Sequence, residues 1–216
     1  MERDYGKIKE ELSKNDEIMR TAISFGGGIR LLNQDEWEAL ISFILSQNRN
    51  IPLIKKSIEE ICSRFGEPIK DADGKTCYSF PKPQVLAALT EADLAQCRLG
   101  YRARYVVETA RAVAAQPEKL YKMTAASYDE AFKYLTSLCG VGPKVANCVL
   151  LFSMEKYGSF PIDVWVRRLM AELYGTDENN LKEIKECAEK KFGSLGGFAQ
   201  QYLFYYAREN GIGKAK

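Results

Sequence analysis

The chain has 216 residues, 46% of them hydrophobic and 28% charged, the balance of a globular protein long enough to bury a sizeable core. With 31 basic and 29 acidic side chains the net charge is +2, which neither demands nor excludes nucleic acid, because a local basic face can bind phosphate in a nearly neutral chain. Histidine is absent, which removes Ser-His-Asp and Cys-His hydrolases, His-ligated metal enzymes and imidazole bases together, so any catalysis must use Lys, Asp, Glu, Cys or Tyr.

The N-terminal MERDYGKIKEELSKND is charged and lacks the apolar centre of a signal peptide. No run approaches the roughly 18 apolar residues of a membrane span, so a cytoplasmic protein (nuclear in a eukaryote) is expected, with no membrane partner. Short helices are expected over residues 5–13 and 15–24, followed by the glycine turn FGGGIRLL with room for short extended pieces near 28–32. In DEWEALISFILSQ, residues 35–47, Trp37, Leu40, Ile41, Ile44 and Leu45 recur at helical spacing behind Asp35, a candidate N-cap. Pro52 sits just inside the next helix, which ends at Gly66, and the polar residues 67–82 read as a loop. Helices follow at 83–90, 91–97, 101–115 and 127–138; Lys144 opens another to about residue 156, and 164–174, 178–192 and 194–210 complete the set. Repeats, low-complexity tracts and linkers are absent, and the expected class is all-α. The six cysteines form no C-x-x-C pair and no C-terminal cluster of the iron–sulfur kind, so neither a zinc site, a redox motif nor an iron–sulfur site is suggested.

In LCGVGPKVANCVLLF, residues 138–152, two glycines and a proline stand directly ahead of a lysine and an apolar run. Helix 127–138, the CGVG turn and the helix from Pro143 make a helix–hairpin–helix spanning about 127–156. The N–H groups of Gly140, Val141 and Gly142 would then face outward as an anion nest able to hold a DNA phosphate without reading sequence. A plain αα-hairpin can also use a glycine-rich connector. Lys144 falls where a cation is electrostatically disfavoured, at a helix N-terminus. It is either an ordinary solvated side chain or an amine kept partly unprotonated, able to attack carbon and form a Schiff base. In FPIDVWVRRL, residues 160–169, Asp163 is an N-cap, a catalytic carboxylate, or both. Nineteen residues separate Lys144 from Asp163 at the starts of successive helices, and an antiparallel return would bring them to one end of the pair. A carboxylate to stabilise a sugar cation and an amine to trap it amount to glycosidic-bond chemistry.

The hairpin LCGVGPKVA, the PIDVWVRR segment and the spacing between them resemble the helix–hairpin–helix DNA glycosylase superfamily. FGGGIRLLNQDEWEALISFILSQNRNI, LGYRARYV and FAQQYLFYYAR further resemble its bifunctional 8-oxoguanine glycosylase/AP lyases, over about Phe25 to Arg208. The resemblance implies a two-lobed helical fold with a DNA cleft between the lobes, a monomer acting on damaged double-stranded DNA, and no cofactor. It makes Lys144 the nucleophile and Asp163 the assisting carboxylate. Phe204 would stack on the flipped base, Cys148 would pack on its other face, and Gln200 would bond its Watson–Crick edge. Each of these is also a residue suited to ordinary packing. Tyr101 would fill the gap in the stack, and Asn48 and Arg102 would contact the widowed cytosine. GYRARY, which includes Arg104, reads as an aromatic–basic strip for phosphates and unstacked bases.

The chain departs from that pattern in two respects. Larger members carry an N-terminal β-rich domain that helps distinguish 8-oxoguanine from guanine; here a short helical lead-in precedes FGGGIRLL, so residues 1–216 read as a single catalytic region. Leu53 stands where many members place a second arginine for the widowed cytosine, which weakens the expected selectivity for that base. Trp165 replaces a histidine found near the DNA backbone in some members and offers one donor. The competing readings are a glycosylase for another damaged base and a non-catalytic DNA-binding module.

Overall fold

Carboxylate and amide caps start the helices at the N-terminal half of the chain. In the computed structural model, which describes residues 3–213, α1 (Tyr5–Ser13) and α2 (Glu17–Phe25) follow Asp4 and Asp16, whose carboxylates accept from the Lys7 and Met19 N–H groups. Asp35 caps α3 (Glu36–Ser46) by accepting from the Glu38 N–H at 2.9 Å, and Asn50 caps α4 (Ile51–Phe65), with Pro52 in its first turn. The remaining α-helices are α5 (Pro83–Ala87), α6 (Arg102–Ala115), α7 (Pro117–Lys122), α8 (Tyr128–Thr136), α9 (Pro143–Ser153), α10 (Val164–Tyr174), α11 (Leu181–Phe192) and α12 (Gly196–Asn210). The all-α expectation holds.

Four local expectations are corrected. Residues 67–82 are more than a loop: β1 (Pro68–Lys70) and β2 (Thr76–Tyr78) pair antiparallel, with Ile69 opposite Cys77. The Asp71 carboxylate ties the turn by accepting from the Asp73 and Lys75 N–H groups, and the hairpin is largely exposed, so no alternating apolar signal marks it. The stretch 91–97 is turns ending in one 3-10 turn, Ala95–Cys97, because Asp93 bonds back to Thr90 and only Leu94 and Cys97 are buried. No strand forms at 28–32. The short helix α7 was not anticipated; proline opens it and Leu120 alone anchors it.

The chain divides into two compact units, one of residues 3–33 and 150–213 within the described range, the other of 34–149; the boundary falls inside α9. In the second unit, Leu40, Ile41, Ile44 and Leu45 of α3 are completely buried, as are Val106, Ala110 and Val113 of α6. The Trp37 indole spends its one donor on the Pro81 carbonyl at 2.9 Å. The first unit is built around α12, whose Phe198, Ala199, Tyr202 and Leu203 pack with Met19, Val166, Met170 and Ile184. At Gly197 a Cβ would collide with Leu151, so glycine is what lets α12 approach that side chain, and its N–H donates to the Tyr157 carbonyl at 2.8 Å.

Candidate active site

The turn between α8 and α9 is fastened through its carbonyls. Cys139 O accepts from the Thr109 hydroxyl at 2.8 Å, and Gly140 O accepts from the Gln47 amide at 2.9 Å. Gly140 has φ 75°, and a Cβ there would drive into the Tyr105 ring, so both backbone and packing require glycine. Gly142 is different: it is exposed, and an added Cβ would meet nothing within 4 Å. Of the three N–H groups expected to face outward, that of Val141 is spent on Leu138 O at 3.2 Å, and its side chain is buried. A tight turn closes on that bond. The Gly140 and Gly142 N–H groups find no backbone acceptor among the described residues.

Lys144 is half-buried in the first turn of α9, its Nζ 5.7 Å from the centre of the Phe43 ring. Among the described residues it forms no ion pair, and the first turn of α9 holds no acidic side chain. Cys148, one turn further on, is 5% exposed. Asn147 staples the two helices of the hairpin, accepting from the Tyr128 hydroxyl and donating to the Pro143 carbonyl, each at 2.9 Å.

Asn48, Tyr101 and Arg102 come together in the same unit. Asn48 is exposed, with a left-handed backbone at φ 51°, and Tyr101 is 55% exposed with its ring edge-on to Tyr105 at 5.6 Å. Arg102, expected at the DNA surface, is instead 6% exposed. Its three nitrogens donate to the carbonyls of Gln47, Leu99 and Asn48, and its guanidinium lies 4.4 Å from the Tyr101 ring centre. A buried guanidinium must place its donors, and the carbonyls of two turns take them. Arg104 and Leu53 are exposed.

In the other unit, Asp163 caps α10: Oδ1 accepts from the Val166 N–H at 2.8 Å, which fixes the carboxylate. Trp165, two residues on, is 39% exposed. Gln200 is buried and committed at both ends of its amide. Nε2 donates to Pro161 O at 2.9 Å and Oε1 accepts from Gln201 at 2.8 Å, so the side chain holds the segment leading into Asp163. Phe204 is half-buried one turn along α12.

A family model described as HhH-GPD superfamily base excision DNA repair protein matches residues 41–194. The chain belongs to the HhH-GPD superfamily. Residues 1–40 match a second model, described as the N-terminal domain of 8-oxoguanine DNA glycosylase; their described part forms α1, α2 and the start of α3. An 8-oxoguanine glycosylase/lyase from Clostridium acetobutylicum, solved in complex with double-stranded DNA containing cytosine opposite 8-oxoguanine, superposes with a TM-score of 0.91 and 45% identity, over 97% of this chain and 72% of that one. A probable N-glycosylase/DNA lyase from Methanothermobacter thermautotrophicus is 33% identical over 91% of this chain and 69% of its own length. An N-glycosylase/DNA lyase from Saccharomyces cerevisiae is 36% identical over 82% of this chain, which spans 56% of that enzyme.

Within this HhH-GPD frame, sequence reasoning missed Gln47, Arg49 and Phe43. Gln47 donates to Ile44 O and across to Gly140 O, Arg49 reaches the Arg98 carbonyl, and Phe43 lies under Lys144. Each bond that matters joins residues far apart in the chain, and local spacing carries no trace of it.

Proposed function

We propose that this chain is a bifunctional DNA glycosylase/AP lyase that removes 8-oxoguanine from duplex DNA. Lys144 carries the reading. Holding a phosphate needs only the backbone N–H groups of the hairpin, so a binding module has no use for a half-buried amine in the first turn of α9.

In the proposed reaction the target nucleotide leaves the stack, since its glycosidic bond is inaccessible within the duplex. The free amine of Lys144 attacks C1′, and the bond to the base breaks with its electron pair leaving on the purine. The attached nitrogen loses a proton, the sugar ring opens, and a Schiff base forms between Nζ and C1′. Loss of a proton from C2′ then expels the 3′-phosphate by β-elimination, and hydrolysis of the imine frees the lysine. Asp163 offsets the positive charge that develops on the sugar; Oδ1 is held by the helix cap, which keeps the carboxylate in one orientation. None of these steps calls for a cofactor.

Gly140 and Gly142 would hold a DNA phosphate, Tyr101 would occupy the gap left by the flipped base, and Asn48 would face the widowed cytosine. Cys148, Gln200 and Phe204 would line the base pocket, Gln200 exchanging its bond to Gln201 for one to the base. Arg104 and Trp165 would meet the backbone, and Leu53, which has no donor, would leave discrimination for cytosine weak. Borohydride trapping on duplexes carrying 8-oxoguanine or an abasic site tests the reading. Covalent adducts are expected with both, and Lys144→Gln should abolish them while DNA binding persists. An adduct with the abasic duplex alone would refute 8-oxoguanine excision, and none with either would refute the lyase.

A further inference from the structure

Two arginines brace the turns that carry Asn48 and Tyr101. Arg49 Nη1 donates to the Ser57 hydroxyl at 2.6 Å, and its Nη2 donates to the Arg98 carbonyl. The Ser57 hydroxyl, in a residue 2% exposed, in turn donates a hydrogen bond to Cys97 O at 3.2 Å. In the reverse direction Arg102 donates to the carbonyls of Gln47 and Asn48. The two turns contain the left-handed non-glycine residues Asn48, φ 51°, and Arg98, φ 55°. Side chains adopt that conformation only where the surroundings hold it. Here the arginine of each turn holds the carbonyl of the left-handed residue in the other.

The electrostatic setting argues that this geometry is what the pairing serves. Among the described residues neither guanidinium forms an ion pair with a carboxylate. Burial first, and the charge of Arg102 second, hold the Arg49 guanidinium below its ordinary pKa. Two like charges packed together against carbonyls weaken the turn electrostatically, and the forked hydrogen bonds give it one defined shape in return.

We infer that Arg49 is a positioning residue for lesion recognition: it fixes the turn at Arg98, and so the placement of Tyr101, in register with Asn48. The inference rests on the proposed function. Arg49 touches no DNA in this scheme; it acts through the two residues that meet the flipped-out site. Undamaged duplex, gripped through phosphates, does not use either of them.

The test compares binding to a duplex carrying a stable abasic analogue opposite cytosine with binding to the undamaged duplex. Arg49→Lys keeps the charge but cannot span Ser57 and Arg98 with a planar fork. It should weaken binding to the abasic duplex about tenfold, the worth of one charged hydrogen bond, and change undamaged binding by less than about twofold. Ser57→Ala, which removes only the Nη1 acceptor, should give a smaller loss confined to the abasic duplex. In an Asn48→Ala, Tyr101→Ala background Arg49→Lys should add nothing. Equal losses on both duplexes, no loss, or additivity in that background would each overturn the inference. A wild-type protein that does not prefer the abasic duplex would overturn the proposed function and this inference with it; a wild-type preference that survives Arg49→Lys overturns the inference alone.

Discussion

The two glycines of the hairpin turn look alike in sequence and do unlike things. Gly140 is required by the protein itself, since its φ of 75° and the Tyr105 ring leave no room for a side chain. Gly142 has no such constraint: it is exposed and faces open space, which fits a backbone left bare for a ligand to approach. The pair of alanine substitutions separates those reasons. Gly140→Ala should lower stability by about 2–3 kcal/mol, through overpacking and left-handed strain, with a matching fall in melting temperature. Gly142→Ala should leave the melting temperature almost unchanged and weaken duplex binding. Unaltered DNA affinity in Gly142→Ala would move the phosphate site elsewhere.

Three helices of the first unit meet on one carboxylate. Asp16 caps α2 through the Met19 N–H at 2.9 Å, accepts from the Tyr174 hydroxyl at the end of α10 at 3.3 Å, and pairs with Lys191 of α11 at 3.1 Å. Burial, then the nearby Asp16 charge, push the Tyr174 phenol above its ordinary pKa, so it stays a donor to that carboxylate. Asp16→Ala should cost about 2–4 kcal/mol, the sum of a lost cap and a lost charged hydrogen bond. Asp16→Asn retains the cap and should lose about half as much; equal melting temperatures for the two variants would show that the carboxylate charge facing Tyr174 and Lys191, lost in both, is the whole effect. Legibility in the sequence followed the same division between local and distant causes. Asp35 and Pro52 announced α3 and α4 because a cap or an opening proline acts within one turn. The β-hairpin escaped because it is exposed and short, and α7 because one leucine in six residues makes no periodicity. Lys144 and Asp163 were marked by helix-start chemistry. The burial of Arg102 and the commitment of Gln200 were not, because their partners lie 55 and 39 residues away.

At the scale of the whole molecule, a net charge of +2 means that any grip on DNA comes from the distribution of charge rather than its sum. Affinity for undamaged duplex should fall at least tenfold between about 50 and 200 mM salt, as expected when two or more phosphates are neutralised. A flat salt response would point to contacts other than phosphate. Among the described residues no helix is long and apolar enough to cross a membrane. The buried and half-buried thiols of the two units have a separate consequence. Burial pushes Cys62 up to about 11 and moves Cys97 and Cys187 upward as well, and the chain has no histidine. From about pH 5 to 8 no imidazole titrates, and three of the six thiols are displaced toward alkali. An inflection in the trapping rate inside that window would therefore be read without any histidine of the scaffold to subtract, which is the background that most often obscures such profiles.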